Sequence, residues 1–311
     1  MLEQNFIVEQ LRKDYEGSKM SETYGYFTIA QGRQYQRFAY GLALSLLLTQ
    51  PKGRNQLAIG VTPEEKSAIN PKLKEVIGIE NIIDIPWKDH AAKSSWKLEN
   101  EWKSIYMSPF DHTVKLDADM LFLSDKSHWF DYMKGSKLVF ATNAKTYRGE
   151  TVTSDYYRKV YTENDLPNVY SAYFYFDKSD ESYEFFKLSE IIFNNWERFF
   201  YEFFKPEQRP RVVSTDVVFA LAAKILDIEE LNKNRTLAED FPTFVHMKSR
   251  LQNWPEDTMM TEDWSNMIQV YHNNDCQLKI GNYLQTLPFH YFVKDFLTDE
   301  MISQMERKLG I

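Results

Sequence analysis

The sequence lacks the features that mark secreted and membrane proteins. Its 311 residues include one cysteine, Cys276, so no disulfide can form within the chain, which suits a reducing compartment. Its longest apolar run, residues 42–48, is seven residues long and includes Ser45, whereas a membrane-crossing helix needs about 20. Charges are spread through residues 1–18, which leaves no apolar core for a secretory signal. We therefore expect a soluble, cytoplasmic protein.

An excess of positive charge is also lacking. The chain has 37 Lys and Arg against 45 Asp and Glu, a net charge of −8, and the two signs are interspersed. Nucleic acid is therefore not expected as its main partner, because a phosphate backbone requires a basic surface. Aromatic residues, in contrast, are abundant at 15%. Most of them are expected in the core, although aromatic rings also stack on sugar rings.

The order of predicted elements indicates a parallel sheet. Residues 24–30, 56–61, 82–85 and 113–116 are predicted strands, since they are rich in β-branched and aromatic residues and are bounded by turn residues. Helices are predicted between them, over residues 35–50, from Thr62 onward and over 96–107. This alternation predicts an α/β fold with helices on both faces of a mostly parallel sheet.

The second half of the chain is less regular. Strands are predicted over residues 137–142, 168–177 and 244–246, and helices over 179–204, 214–226 and 291–309. A short helix is predicted over residues 1–20. No internal repeat and no linker interrupts the chain, so we expect one domain.

One motif carries chemistry: Asp117-Ala118-Asp119, at the end of the fourth predicted strand. Two carboxylates at this spacing leave the same side of an extended chain, and ligands of α/β sheets bind beyond the carboxyl ends of the strands. Such oxygen ligands suit Mg²⁺ or Mn²⁺, which neutralises a diphosphate. The pattern alone is weak, because a solvated strand end explains it equally well. A haloacid-dehalogenase-type phosphatase also carries two aspartates at a strand end, normally on its first strand.

Three segments together resemble the GT-A glycosyltransferases, and most of all their family 8, glycogenin-like branch. They are residues 26–48 (YFTIAQGRQYQRFAYGLALSLLL), 113–123 (TVKLDADMLFL) and 244–254 (FVHMKSRLQNW). The resemblance implies a GT-A nucleotide-sugar-binding catalytic domain over residues 21–255, with residues 256–311 as a C-terminal extension packed on it. A further similarity of residues 279–291 to GT-A-like phage proteins suggests a phage-encoded chain acting in the host cytoplasm.

The resemblance also implies a set of site residues. The end of the first strand contacts the nucleotide base, the two aspartates hold the cation with Ala118 beside the nucleotide, and a later histidine, His246, completes the metal site. Asp216 corresponds to an acidic residue near the acceptor and the reacting carbon, and Lys103 to a basic residue against the donor. The residues assigned to the base are Thr28, Ile29, Ala30 and Tyr35.

The chain departs from the family pattern H-x-x-G-x-x-K-P-W after His246. Ser249, Gln252 and Asn253 replace its Gly, Lys and Pro. The phosphate-binding lysine is therefore missing from its usual place, and Lys248 or Arg250 is the candidate to replace it. Residues 170–172 (YSA) stand where the family has Asn-Ser-Gly. His290, which lies between aromatic residues, is expected to have a structural role.

The resemblance implies transfer of a hexose from a nucleotide sugar, UDP-glucose or a similar donor, to a hydroxyl acceptor with retention at the anomeric carbon. Mn²⁺ or Mg²⁺ is the implied cofactor. Two alternatives stay open: the phosphatase, and a catalytically silent sugar-binding protein that kept the fold. The expected acceptor surface is formed by residues 146–170 and 251–275, since acceptor pockets are built from variable loops.

Overall fold

A computed structural model describes most of the chain. The described residues are 22–89, 91, 97–153, 158–208, 213–228, 242–249, 251–252, 270–273 and 275–311. The helix predicted over residues 1–20 lies outside them.

A six-stranded, mostly parallel sheet forms the centre of the protein. Its strand order is β3-β2-β1-β4-β7-β6. The first four of these pair in parallel, whereas β7 runs antiparallel to both β4 and β6. The strands are β1 (Tyr24–Ile29), β2 (Leu57–Val61), β3 (Ile82–Asp84), β4 (His112–Leu116), β6 (Leu138–Ala141) and β7 (Tyr170–Asp177).

Helices cover both faces of the sheet. They are α1 (Arg33–Thr49), α2 (Pro71–Ile77), α3 (Ser104–Met107), α4 (His128–Met133), α5 (Lys159–Glu163), α6 (Asp180–Asn194), α7 (Trp196–Phe203), α8 (Thr215–Ile225) and α9 (Asp299–Leu309). Short 3-10 helices occupy Pro63–Ala68, Ile79–Asn81, Lys97–Lys103 and Pro206–Gln208. This confirms the predicted fold class, a mostly parallel sheet flanked by helices.

Alternating residues of the strands pack on opposite faces, as period-two side-chain geometry requires. In β7, Tyr173 and Tyr175 join the cluster that contains α1, while Phe174 and Phe176 join the cluster that contains α6 and α8. Helix α1 contributes Phe38 to the first cluster, and its apolar face is buried. The sheet is therefore buried on both faces, which fixes the positions of the strand ends.

A second, three-stranded sheet lies where β4 ends. Its order is β5-β12-β8, and a hairpin sheet of β9, β10 and β11 precedes β12 in the chain. Strand β12 pairs antiparallel with β5 and parallel with β8. The strands are β5 (Met120–Leu121), β8 (Val245–His246), β9 (Val270–His272), β10 (Leu278–Ile280), β11 (Tyr283–Leu284) and β12 (Phe289–His290).

Four predicted helices differ from those observed. The helix predicted from Thr62 onward is a 3-10 helix followed by α2, and the helix predicted over 96–107 is a 3-10 helix that continues as α3. The helix predicted over residues 179–204 is interrupted at Asn195, whose backbone leaves the helical region between α6 and α7. The tail is helical only from Asp299, because β12 occupies the start of the predicted segment and Thr298 caps the N–H of Met301. Across the residues described, none of the helices combines the length and the apolar character that crossing a membrane requires.

Candidate metal and nucleotide site

Asp117, Asp119 and His290 converge beyond the carboxyl end of β4. The two aspartates lie in the turn from β4 to β5, and His290 stands opposite Met120 in the register of β12 with β5. The His290 Nε2 atom lies 3.2 Å from Asp119 Oδ1 and 3.6 Å from Asp117 Oδ2. One ligand atom from each residue lies within 4.8 Å of the others. The fold therefore brings two carboxylates and one imidazole to a single point.

The charges at this point favour an ionised carboxylate. Burial alone would raise the pKa of Asp119, but the charge and hydrogen bond of His290 and the charge of Lys294 lower that pKa to about 2. Burial would lower the pKa of His290, yet the charge and hydrogen bond of Asp119 raise it. In the absence of a cation, a proton on His290 compensates the aspartate.

The same atoms fit a divalent cation. Hard carboxylate oxygens with one imidazole nitrogen form a donor set that suits Mn²⁺ and, less well, Mg²⁺. The Nε2 atom of His290 faces the carboxylates, while its Nδ1 atom is buried and has no hydrogen-bond partner among the described residues. A cation held by Asp117, Asp119 and His290 would replace the proton that His290 otherwise shares with Asp119.

His246, the histidine that the sequence assigned to the cation, lies one strand further away. It is the last residue of β8, and its ring centroid is 5.0 Å from that of His290. Its Nδ1 atom is 2.6 Å from the hydroxyl oxygen of Ser249. Burial and the charge of His290 lower the pKa of His246, so its imidazole is neutral at pH 7. His246 therefore packs behind His290. His290, to which the sequence analysis gave a structural role, faces the aspartates.

Lys294, which the sequence also missed, lies closer to the aspartates than the expected lysine. Its Nζ atom is 3.5 Å from Asp119 Oδ2 and lies 4.8 Å from the centroid of the Tyr35 ring. The Nζ atom of Lys248 lies 5.2 Å from the centroid of the Phe292 ring. In the sequence, Lys294 stands four positions after His290. This spacing indicates a role for Lys294 only if His290 is first recognised as a ligand.

Behind the aspartates lies a buried ion pair. The Lys115 side chain projects from β4 and is 1% exposed, and its ammonium binds the Glu101 carboxylate and, at 3.0 Å, Asp117 Oδ1. Burial raises the pKa of Glu101 to about 7, although Lys115 opposes this shift. Burial would lower the pKa of Lys115, but Glu101 and Asp117 raise it, which keeps the lysine charged. Lys115 therefore fixes one oxygen of Asp117 from inside the protein.

Asp216 is also fixed by its neighbours. Its Oδ1 atom accepts hydrogen bonds from the backbone N–H and the hydroxyl of Ser171, at 2.8 and 2.5 Å, and its Oδ2 atom pairs with Arg158. The next residue of β7, Ala172, accepts a hydrogen bond from the N–H of Asp117 at 3.1 Å. The fold therefore places Asp216 beside the turn that holds Asp117 and Asp119. The Arg158 guanidinium lies between the rings of Tyr161 and Tyr170.

The end of β1 lies at the same edge of the sheet, as expected for a base-binding strand. Ile29 and Ala30 are buried, as is Thr28, whose hydroxyl oxygen has no hydrogen-bond partner in the part of the chain that the structure describes. The next residue, Gln31, donates its amide to Thr62 Oγ1 at 2.8 Å and to Asp89 Oδ2 at 2.9 Å. The carboxyl ends of β1 and β2 are thus joined by a polar network, which sequence reasoning did not identify.

Lys103 is engaged away from the aspartates. Its buried ammonium donates to the backbone carbonyls of Pro86 and Lys88, at 3.0 and 2.5 Å. In this arrangement it supports the loop that follows β3. Contact of Lys103 with a donor stays a prediction.

No protein-family profile matches the sequence, and a search of curated proteins finds no match. Among solved structures, this one is similar to a galactosyltransferase, LgtC, in complex with donor and acceptor sugar analogs (15% identity, 63% of this chain and 70% of that chain, TM-score 0.42). It is also similar to mouse xyloside xylosyltransferase 1 (10% identity, 87% and 98%, TM-score 0.44). The glycosyltransferase GlyE of Streptococcus pneumoniae TIGR4 is a third match (11% identity, 67% and 44%, TM-score 0.36). All three TM-scores are below 0.5, and these similarities by themselves assign no function.

Proposed function

We propose that this protein is a metal-dependent glycosyltransferase that transfers a hexose from a UDP-linked donor to a hydroxyl acceptor, with retention as the family resemblance implies. The observation that carries the proposal is the convergence of Asp117, Asp119 and His290 beyond the end of β4. Carboxyl ends of parallel strands are where α/β proteins bind nucleotides, and a two-carboxylate, one-imidazole set suits a cation that accompanies a diphosphate.

The donor side of the site is formed by residues already fixed in position. Asp117 and Asp119 with His290 would hold Mn²⁺, which as a Lewis acid compensates the charge of the departing nucleoside diphosphate. Lys294, at 3.5 Å from Asp119, is the nearest described candidate to supply a second positive charge to the diphosphate. The buried end of β1, residues 28–30, would face the base.

On the acceptor side, we assign Asp216 to the positioning of the sugar. Its carboxylate is paired with Arg158 and accepts two hydrogen bonds from Ser171, so both of its oxygens are held in fixed positions. A carboxylate fixed in this way suits orientation of a hydroxyl or stabilisation of developing positive charge. The acceptor itself would be bound by the variable residues 146–170 and 251–275.

The experiment that tests the proposal measures donor binding and donor cleavage separately. Calorimetry of the purified protein with UDP and Mn²⁺ is expected to show binding that Asp119→Ala abolishes. A panel of nucleotide sugars is then screened for UDP release, which a catalytically silent homologue does not produce. Release of inorganic phosphate from phosphate esters instead of UDP from sugars would favour the phosphatase. Failure of UDP to bind with Mn²⁺ present would overturn the proposal.

A further inference from the structure

The loop after β3 holds a tryptophan in an unusual conformation. Trp87 has φ 58°, in the left-handed region that a bulky side chain adopts only at a cost, and its side chain is 67% exposed. Neither apolar burial nor a turn that requires glycine explains a tryptophan at this position. The rest of the protein must therefore stabilise the conformation.

Lys103 provides that stabilisation. Its ammonium, on a side chain with no exposed surface, donates to the carbonyl oxygens of Pro86 and Lys88, the residues on either side of Trp87. Two charge-assisted hydrogen bonds from one buried group fix the backbone across the tryptophan. The indole is consequently presented to solvent by a rigid support.

Trp87 begins a row of exposed aromatic rings, here named the Trp87 platform and defined as Trp87, Tyr106 and Tyr183. Its ring lies parallel to that of the buried Trp102, with centroids 6.3 Å apart and an interplanar angle of 7°. The Tyr106 ring lies 5.0 Å from that of Trp87 at an interplanar angle of 77°, and the Tyr183 ring lies 5.9 Å from that of Tyr106 at 52°. The two tyrosines are 38% and 37% exposed. The platform therefore joins the loop after β3 to the first turn of α6.

A neutralised ion pair lies beside the platform. Lys187 and Glu190, which both influence the pKa of Tyr106, form an ion pair with each other at 2.7 Å. Flat rings, tyrosine hydroxyls and a self-neutralised ion pair suit a ligand that is neutral, ring-shaped and rich in hydroxyl groups. An aliphatic partner would leave these polar groups without hydrogen bonds, which is unfavourable.

We propose that the Trp87 platform is a binding site for a neutral oligosaccharide, of which one pyranose ring stacks on Trp87 and the hydroxyls bond to Tyr106 and Tyr183. The proposal goes beyond the transferase reaction and does not depend on it, since the platform shares no residue with the metal-binding turn.

The test uses calorimetry of the whole protein with maltohexaose, cellohexaose and chitohexaose, in the absence of nucleotide. At least one of these oligosaccharides is expected to bind. Trp87→Gly is the decisive variant, because glycine adopts φ 58° without strain and removes the ring while the backbone conformation of the loop is kept. We expect it to weaken saccharide binding about tenfold or more, as measured by Kd.

Two further variants make the result specific. Tyr201→Ala removes an equally exposed aromatic ring (63%) from helix α7, outside the platform, and should bind the saccharide as the parent does. Lys103→Met removes the support of the loop and should weaken binding in the same direction as Trp87→Gly. The proposal is overturned if none of the three oligosaccharides binds the parent, or if Trp87→Gly binds as tightly as the parent. Either result would leave UDP binding, and so the proposed function, unaffected.

Discussion

His290 Nε2 lies 3.2 Å from Asp119 Oδ1, across the antiparallel pairing of β12 with β5. The backbone maintains this contact, because the N–H of Tyr291 donates to the carbonyl oxygen of Asp119 at 3.0 Å. Two segments distant in the sequence are thereby joined at the point where a cation is expected. Substitution of His290 can therefore test whether this residue is the third metal ligand.

We expect His290→Gln to weaken Mn²⁺ binding on the order of a hundredfold, since loss of even an outer-shell partner costs 10- to 100-fold. His246→Gln is the matched control: the same substitution one strand away, at a side chain whose Nδ1 atom already bonds to Ser249. It should weaken binding about tenfold or less. Competition of Mn²⁺ with a fluorescent chelator measures both constants. Equal losses in the two variants would contradict the assignment of His290.

Cation binding should release a proton from His290. Asp119 raises the pKa of His290 above 6.5, the value that it has in an unfolded chain, so near neutral pH a cation must displace a proton from the imidazole. Mn²⁺ affinity is therefore expected to increase as pH rises through the raised pKa of His290 and to level off above it. Calorimetry in buffers of different ionisation enthalpy counts the protons released. His290→Gln should remove this release, and a parent that releases none near pH 6.5 would contradict the prediction.

The order of the strands could be predicted from the sequence, whereas the histidine that faces the aspartates could not. Strands β1 and β2 are largely apolar segments, and the order in which the predicted strands alternate with helices implies parallel pairing. His246 and His290 cannot be separated in this way, since each ends a two-residue strand preceded by buried aromatic or aliphatic residues. Only the pairing of β12 between β5 and β8 shows which histidine faces the aspartates. Such long-range pairing leaves no local pattern in one sequence.

A similar limit applies to Lys115. Within the strand pattern it reads as an exposed residue of an alternating strand, yet the structure buries it against Glu101, which belongs to the preceding 3-10 helix. The partner of a buried charge depends on how helices pack on the sheet, and a spacing of residues does not reveal it. A lysine in a strand of a sheet covered on both faces nevertheless indicates that its side chain has a buried partner.

Lys115→Met should destabilise the protein by about 3–5 kcal/mol, because it leaves the Glu101 carboxyl buried without its partner. The double variant Lys115→Met with Glu101→Gln removes both charges and should recover more than half of that loss. Urea unfolding provides both free energies. Recovery would show that the cost lies in the unpaired charge. Failure to recover would instead assign it to the packing of the lysine chain.

Lys294→Met and Lys248→Met test which lysine faces the diphosphate. Lys294 lies beside Asp119, so its loss should weaken UDP binding in the presence of Mn²⁺ about tenfold, the typical cost of one charge-assisted contact. Lys248 lies over Phe292, and its loss should change the Kd for UDP by less than threefold, a difference of about 0.6 kcal/mol. A larger loss of UDP affinity in Lys248→Met than in Lys294→Met would instead assign the diphosphate contact to Lys248, as the sequence first suggested.

Asp216→Asn separates donor binding from turnover. The asparagine can keep the hydrogen bonds from Ser171 through its amide oxygen, but it loses the negative charge that pairs with Arg158. If Asp216 positions the sugar, UDP should bind with an unchanged Kd while kcat for sugar transfer or donor hydrolysis falls about a hundredfold or more. Arg158→Lys keeps the positive charge but cannot bind Asp216, Asn168 and the carbonyl of Val169 together, so a smaller fall in kcat is expected. Asp216→Asn with parental kcat would show that this carboxylate takes no part in the reaction. Its role would then be structural, as a link between α8 and Ser171 of β7.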